Sequence, residues 1–173
     1  MLPAIWEAKT FLGKIGVKKE AQMWTFPDRK ARNICLVPEA TGMVQELWTT
    51  DWSRRMSKPA RLFYVARCYR YERPQRGRYR EFTQFGIEML GAPEAVSRGE
   101  TLDLLAKCLD ATGVDYRLKD GIRRGIGYYV EAGFEAECPS LGAQKQVAGG
   151  GRYPEGVGWA VGIDRLLLAR YGD

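Results

Sequence analysis

The chain has 173 residues, 45% hydrophobic and 28% charged, a length and balance that predict one soluble domain, residues 1–173, with its own core. It contains no histidine, which excludes imidazole acid–base catalysis, Ser-His triads and histidine-ligated metals. Its 27 lysines and arginines against 21 acids leave a net charge of +6, which suits a nucleic acid and a nucleotide equally well.

Hydropathy and cysteine spacing give no sign of a membrane or secreted protein. No apolar run approaches the roughly 20 residues of a membrane helix, and the N-terminus lacks the layout of a signal peptide. The four cysteines are far apart and form no C-x-x-C pair. We therefore expect a cytoplasmic protein with reduced cysteines and no membrane partner.

The first sixty residues are predicted to form two short strands and a helix. The strands fall at residues 23–26 and 32–37, around a turn. The helix begins near Pro38 and ends before Pro59. At its start Glu39 and Thr41 are either ordinary caps or ligand-binding groups, and from these residues alone capping is the stronger interpretation.

The segment 61–91 is predicted to be a β-hairpin. Two alternating, aromatic-rich runs flank a turn-forming stretch at residues 73–78, and seven arginines lie between Arg61 and Arg80. By parity Phe82, Gln84 and Glu88 share one strand face, which suits a small polar ligand. A solvated hairpin with its charges in water explains these residues equally well.

The rest of the chain alternates helices and strands. A helix is predicted from Pro93 to Gly113, strands at 128–137 and 144–148, and an amphipathic helix at about 162–171. Strands dominate the middle of the chain with helices set around them. This order predicts one α+β domain with a mainly antiparallel sheet flanked by helices.

Several segments resemble the signature motifs of class II aminoacyl-tRNA synthetases, above all those of the histidyl enzymes. ERPQRGRYREFTQFGIE, residues 72–88, resembles motif 2, and GVGWAVGIDRLLLAR, residues 156–170, resembles motif 3. GIRRGIGYY, residues 121–129, resembles the histidine-specific segment, although Gly127 stands where aspartate is usual. Pro-Glu-Ala-Thr at 38–41 resembles a Pro-Glu-Gly-Thr tetrad. The resemblance covers nearly the whole chain.

The resemblance implies that the protein uses ATP and magnesium to activate an amino acid, histidine being the first choice. It implies that Arg70 and Arg124 are the catalytic residues. It places Glu72, Arg78, Phe82 and Arg165 on ATP, and Glu39, Thr41, Gln84, Glu88, Tyr128 and Tyr129 on the amino acid. The resemblance also implies that Glu81 is a ligand of the magnesium ion. A homodimer is expected, with tRNA bound weakly through basic side chains such as Arg54, Arg55 and Lys58.

The resemblance also predicts that the chain is a minimal catalytic core. Residues 91–120 are too few for the inserted domain of the family, and no anticodon-binding domain follows motif 3. Two alternatives remain: a non-catalytic paralogue that binds a ligand or regulates a partner enzyme, and an activating enzyme whose acceptor is not tRNA. Gly127 favours the paralogue, whereas the retained arginines argue against it.

Overall fold

The computed structural model of the protein describes residues 2–123 and 125–172, with the backbone alone described for residues 94 and 95. The strands are β1 (Ile5–Glu7), β2 (Trp24–Pro27), β3 (Asn33–Leu36), β4 (Ala60–Tyr69), β5 (Glu81–Leu90), β6 (Arg117–Ile122), β7 (Gly133–Glu137), β8 (Gln146–Tyr153) and β9 (Gly156–Gly162). The α-helices are α1 (Val17–Glu20), α2 (Thr41–Leu47), α3 (Ser53–Arg55), α4 (Glu94–Thr112) and α5 (Ile163–Tyr171). None of these helices is long and apolar enough to cross a membrane.

The strands form two antiparallel sheets. The larger sheet has six strands in the order β4-β5-β9-β8-β7-β6, and the smaller has the order β1-β3-β2. Helices α4 and α5 contact strands β5 and β9 of the larger sheet. The prediction of a mainly antiparallel α+β fold is confirmed.

The predicted hairpin is present as β4 and β5, which pair along ten residues each. β4 lies at one edge of the sheet, and its outward-facing residues, Arg61, Phe63, Val65 and Arg67, are all exposed. The exposed fraction of Phe63 reaches 76%. The alternate residues Tyr64, Ala66 and Cys68 are buried, so the edge strand is apolar on both faces but covered on one.

Two strands of the larger sheet are absent from the prediction. β6 is exposed along most of its length, so its sequence lacks the alternation that marks a half-buried strand. β9 carries glycines where side chains would define a pattern, and β8 continues through three more glycines instead of ending at residue 148. β7 begins at Gly133, five residues later than predicted. Because glycine has no side chain, a glycine-rich strand shows no alternation of polar and apolar residues, although its backbone still forms the hydrogen bonds of the sheet.

The central strands of the larger sheet present opposite compositions on their two faces. On β9, Val157, Trp159 and Val161 point to one side and are buried in the core. The alternate positions of β9 hold only small residues: Gly156, Gly158, Ala160 and Gly162. Three of their seven partners on β5 and β8 are glycines as well: Gly86, Gly149 and Gly151. The second face is therefore a nearly bare backbone floor, open to ligands or to side chains reaching in from the rim.

Helix α4 covers the apolar face. Leu105 and Leu109 are fully buried in a cluster with Phe134 and Trp159. The indole Nε1 of Trp159 donates a 2.8 Å hydrogen bond to the carbonyl of Thr101, which fixes the helix over β9. The helix ends, as predicted, at Gly113, whose left-handed conformation (φ 67°) suits a glycine C-cap.

The single helix predicted between Pro38 and Pro59 is interrupted. Instead of one continuous α-helix, α2 and α3 are separated by a π-helical turn at Trp48–Trp52. Thr49 donates its hydroxyl to the carbonyl of Gln45 (3.0 Å), and Thr50 to that of Glu46 (2.7 Å). These side chains compete with the backbone for helix carbonyls, which accounts for the local widening.

Leu105→Ala tests how strongly the fold depends on the cover that α4 provides. The free energy of unfolding should fall by about 2–5 kcal/mol, because the substitution leaves a cavity in a closed core. Leu104→Ala, one residue earlier on the helix and 41% exposed, should cost only about 0.5 kcal/mol. Urea denaturation of both variants measures the difference, and equal losses would contradict this packing.

Candidate active site

A cavity of about 200 Å³ lies over the small-residue floor of the larger sheet. The floor side is lined by Gly149, Ala160 and Gly162. Ten of the sequence-predicted site residues surround it: Glu39, Thr41, Arg70, Glu72, Arg78, Phe82, Gln84, Tyr128, Tyr129 and Arg165. Four separate segments of the chain thus converge on this cavity. Phe82 and Gln84, which the alternation of the hairpin strand predicted to share one face, both point to the cavity side of β5.

Glu39 is a capping residue and a cavity residue at once. Its carboxylate accepts hydrogen bonds from the backbone N–H groups of Thr41 (3.0 Å) and Gly42 (2.8 Å) and from the Tyr128 hydroxyl (3.0 Å). Only 6% of the residue is exposed. Burial raises the pKa of the Glu39 carboxyl, although the donors Gly42 and Tyr128 and the charge of Arg70 oppose the shift. Helix capping and a place in a ligand cavity, the two interpretations that the sequence left open for Glu39, are therefore compatible.

Glu88 lies behind the cavity lining. Its carboxylate accepts hydrogen bonds from the Thr41 hydroxyl (2.8 Å) and the Tyr153 hydroxyl (2.6 Å). It faces Gly158, where a Cβ atom would lie only 1.7 Å from Glu88 Oε2. Burial raises the pKa of the Glu88 carboxyl to about 8. Thr41 lines the cavity and thereby links it to this buried acid.

Guanidinium groups from two distant segments lie in the same cavity. Arg70 donates from Nε to the Pro38 carbonyl (2.9 Å), and its Cζ lies 4.9 Å from the centroid of the Phe82 ring. Arg165 donates from Nε to the Gly77 carbonyl (2.5 Å) and from Nη1 to that of Gln146 (2.8 Å). Burial, and then the charge of Arg78, lower the pKa of Arg165.

The loop of the hairpin is held by an ion pair within the cavity lining. Arg78 Nε lies 2.5 Å from Glu72 Oε2, and both residues are partly buried. Gln84 is oriented from below by Cys68, whose thiol donates to Gln84 Oε1 (3.2 Å). Burial raises the pKa of Cys68 to about 12, so the thiol keeps its proton and remains a donor.

Of the remaining two predicted residues, Glu81 lies elsewhere and Arg124 is not described by the structure. Glu81 is not part of the cavity lining; it pairs with Arg67 (2.9 Å), and about half of its side chain is exposed. Arg124 lies outside the described residues. Among the residues that the structure does describe, no cluster of three or more acidic, cysteine or histidine side chains forms a ready-made metal site.

Sequence analysis missed several residues of the site. Ile15, Lys19, Glu135 and Gln146 line the cavity, and Tyr153 holds Glu88. Tyr153 had a detectable signal, because it follows the glycine run two positions after Gly151 on the same strand face. Lys19 had no such sequence signal, because it reaches the cavity only through the way in which residues 11–23 fold against the rest of the chain.

The arrangement combines buried acceptors with fixed cations. Glu39, Thr41 and Gln84 offer oxygen atoms suited to an ammonium group. Arg70, Arg78 and Arg165 offer guanidinium groups suited to phosphate oxygens. Arg70 and Phe82 together form a cation–aromatic pair with a planar face. A ligand with an amino group, a planar ring and phosphates would satisfy all three sets.

The raised pKa of Glu88 predicts a pH-dependent stability. The folded protein holds a proton that the unfolded chain loses above its ordinary pKa of 4.5, so this stabilisation is complete below 4.5 and is lost as the pH rises to about 8. In that window the free energy of unfolding should fall by at most about 1.4 kcal/mol per pH unit. Glu88→Gln cannot ionise, and urea titrations across the window should show a shallower slope.

Glu39 contributes in the same direction, because its pKa is also raised, and it remains in the variant. The difference between wild type and Glu88→Gln therefore isolates Glu88. Identical slopes for the two proteins would show that Glu88 is ionised in the folded state at neutral pH.

Comparison with known proteins gives a consistent result. The family model for histidyl-tRNA synthetase matches residues 1–119. The histidine–tRNA ligase of Methanosphaerula palustris is 28% identical over 250 positions, which cover 86% of this chain and 61% of that protein. The aligned stretch is longer than the chain, so the relative carries a long internal segment that this chain lacks.

Solved structures establish the likeness of fold. Apo histidyl-tRNA synthetase of Staphylococcus aureus superposes with a TM-score of 0.76 at 24% identity, covering 98% of this chain and 59% of that one. A Bacillus halodurans protein described as an ATP phosphoribosyltransferase regulatory subunit/histidyl-tRNA synthetase gives 0.80 at 16% identity, covering 99% and 73%. An enzyme and a protein described partly as regulatory thus share this architecture.

Proposed function

The chain belongs to the histidyl-tRNA synthetase family, and we propose that it activates histidine with ATP, forming histidyl-adenylate and pyrophosphate. The proposal rests mainly on one observation: the buried carboxylate of Glu39 and the guanidinium groups of Arg70, Arg78 and Arg165 line the same cavity. The chain spans about 60% of the length of the relative from M. palustris.

The chemistry fits a site without histidine. The amino-acid carboxylate attacks the α-phosphorus of ATP, an O–P bond forms, and the bond to pyrophosphate breaks. No proton transfer is needed, since the attacking carboxylate is already ionised. The barrier is lowered by positioning and by charges fixed in advance at the phosphate oxygens. Carbonyl groups hold Arg70 and Arg165 in place before any ligand arrives.

The roles proposed on ATP come from the family motifs, and the place of these side chains in one cavity supports them. Arg70 binds the α-phosphate, with the adenine stacked on the Phe82 ring. Arg78 and Arg165 bind the outer phosphates, and Glu72 accepts a hydrogen bond from the adenine amino group. Arg124 is proposed, from its place in the motif alone, to bridge the phosphate and the attacking carboxylate.

Magnesium is proposed as the metal cofactor. When bound, it neutralises the phosphate charges. Hard oxygen ligands suit this ion, and the cavity lining offers the carboxylates of Glu135 and Asp164. Asp164 also accepts a hydrogen bond from the Thr83 N–H (2.7 Å), which limits it to a shared role. Glu81 is not carried into this proposal, because it does not line the cavity.

Roles on the amino acid follow from the acceptor set. Glu39, Thr41 and Gln84 receive the α-ammonium group, and Tyr128 and Tyr129 enclose the side chain. Glu88 accepts a hydrogen bond from the imidazole N–H. For this to happen, the Thr41 hydroxyl must first give up the hydrogen bond that it donates to one oxygen of Glu88. Only a side chain with an N–H group replaces the hydrogen bond that Thr41 gives up, which would disfavour amino acids that lack this donor.

The proposed setting is a cytoplasmic homodimer that binds tRNA weakly. Arg54 and Arg55 are exposed, and Arg55 pairs with Asp51 (2.9 Å). Lys58 lies 5.8 Å from the centroid of a Trp48 ring. Binding that rests on such electrostatic contacts is expected to be weak and to weaken further as salt is added. Near the N-terminus Ile5 is half exposed and available to a partner subunit, whereas Trp6 is packed against the core.

ATP–pyrophosphate exchange, screened across the amino acids, tests the proposal. We expect histidine to stimulate exchange above all others. Stimulation by a different amino acid would remove the histidine assignment and leave adenylation intact. A protein that binds ATP but supports no exchange with any amino acid would instead be the non-catalytic paralogue. Identification of the acceptor then separates tRNA charging from transfer to another molecule.

Arg70→Ala should lower the exchange rate at least about a hundredfold, because removing one preorganised charge stabiliser typically costs about 3 kcal/mol at the transition state. Arg67→Ala is the matched control: it removes an arginine of the same hairpin that faces away from the cavity and pairs with Glu81. That variant should keep near-wild-type exchange. Equal exchange by wild type and Arg70→Ala would sink the assignment of the hairpin.

A further inference from the structure

Two backbone segments meet at the wall of the cavity, residues 13–16 and residues 125–127, which we call the glycine clasp. A Cβ atom built on Gly127 would lie 2.8 Å from the carbonyl oxygen of Lys14, and one built on Gly16 would lie 2.9 Å from that of Gly125. Such distances are too short for a carbon and a backbone oxygen in stable contact. The segments approach this closely because neither glycine has a side chain.

Gly127 and Gly16 are glycines for different reasons. Gly16 has a φ of 88°, a conformation that disfavours any side chain whatever its surroundings. Gly127 is not among the positive-φ glycines, so other residues could adopt its backbone conformation. Only the Lys14 carbonyl demands glycine at position 127. This is the position at which the related segment of the family usually carries an aspartate.

One side of the clasp belongs to a loop that is closed by its own hydrogen bonds. Glu20 accepts a hydrogen bond at Oε1 from the Gly13 N–H (2.9 Å) and donates its own N–H to the Gly16 carbonyl (3.0 Å). These bonds close residues 13–20 on themselves. Ile15, fully buried, and Lys19 both project from this loop into the cavity lining.

The opposite half of the clasp also carries cavity residues. Ile126 belongs to the segment 125–127, Tyr128 and Tyr129 come directly after it, and all three line the cavity. The close contact between the two backbone segments therefore sets the distance between these side chains and those of Ile15 and Lys19. The ammonium of Lys19 is near enough to Glu39 for their charges to interact, so the loop also sets the local charge.

We propose that Gly127 is a specificity-determining residue, which lets the clasp close and so limits the amino-acid end of the cavity to a compact side chain without positive charge. The size limit comes from the backbone contact with Lys14, and the charge limit from Lys19. This inference rests on the proposed function, because it names the selectivity of that same site.

Gly127→Ala tests the clasp first without reference to activity. The added methyl group must displace residues 13–16, so hydrogen exchange in a peptide covering 13–21 should quicken at least about fivefold, measured by mass spectrometry. Gly99→Ala is the matched control, because a Cβ on Gly99 meets nothing within 4 Å. Unchanged exchange of this peptide in Gly127→Ala would overturn the clasp.

The second measurement is the KM for each amino acid in pyrophosphate exchange. In Gly127→Ala the KM for the preferred amino acid should rise about tenfold or more, since a displacement near 1 Å can cost up to a hundredfold, while the KM for ATP stays within about twofold. Gly99→Ala should change neither. Equal amino-acid KM values in an active enzyme would overturn the role of the clasp alone, whereas absence of exchange in the wild type would overturn the proposed function itself.

Lys19→Met gives a second variant that leaves both glycines and the backbone contact intact. It keeps a long side chain and removes the charge. Use of lysine or arginine relative to the preferred amino acid should rise about tenfold, because a like charge no longer opposes a cationic side chain. An unchanged ratio would overturn the charge limit, and this result does not depend on whether Gly127→Ala folds.

Discussion

Glu88 and Gly158 face each other on adjacent strands, and a Cβ atom at position 158 would occupy almost the same space as the carboxylate. The same exclusion operates at Gly86, where a Cβ would lie 2.3 Å from the Tyr64 ring. Because these positions carry no side chain, the large polar side chains of Glu88 and Tyr64 on the neighbouring strands can lie across them. The cavity, the buried acid and the rings that enclose them all depend on this bare backbone.

Electrostatics adds a second constraint. Glu39 and Glu88 are both buried and both share Thr41, one through its N–H and the other through its hydroxyl. Burying two acids side by side is unfavourable unless a cation or protons balance them. In the unliganded protein, the raised pKa of Glu88 means that a proton supplies part of that balance near neutral pH. A chain without histidine thus still has a group that titrates in the physiological range.

The sequence was most informative where side chains alternate and least where they are missing. The hairpin could be predicted, with the correct face for Phe82 and Gln84, because period-two patterning survives in any strand with one buried side. β9 could not, because its floor positions are glycine or alanine. At Gly127 the sequence marked an unusual residue, but only the path of the backbone shows that the Lys14 carbonyl fills the vacant space. Long-range contacts of this kind leave no local pattern.

The exposed edge of β4 bears on how the protein behaves at high concentration. An apolar edge strand with free backbone groups invites pairing with the same strand of another molecule. If two such edges paired antiparallel about Tyr64, each Arg61 would face an Arg67 across the new ladder. Like charges directly opposed in a sheet are destabilising. The two arginines that bracket Phe63 and Val65 thus disfavour this register, to the extent that their charges are not already balanced by Glu100 and Glu81, with which Arg61 and Arg67 pair.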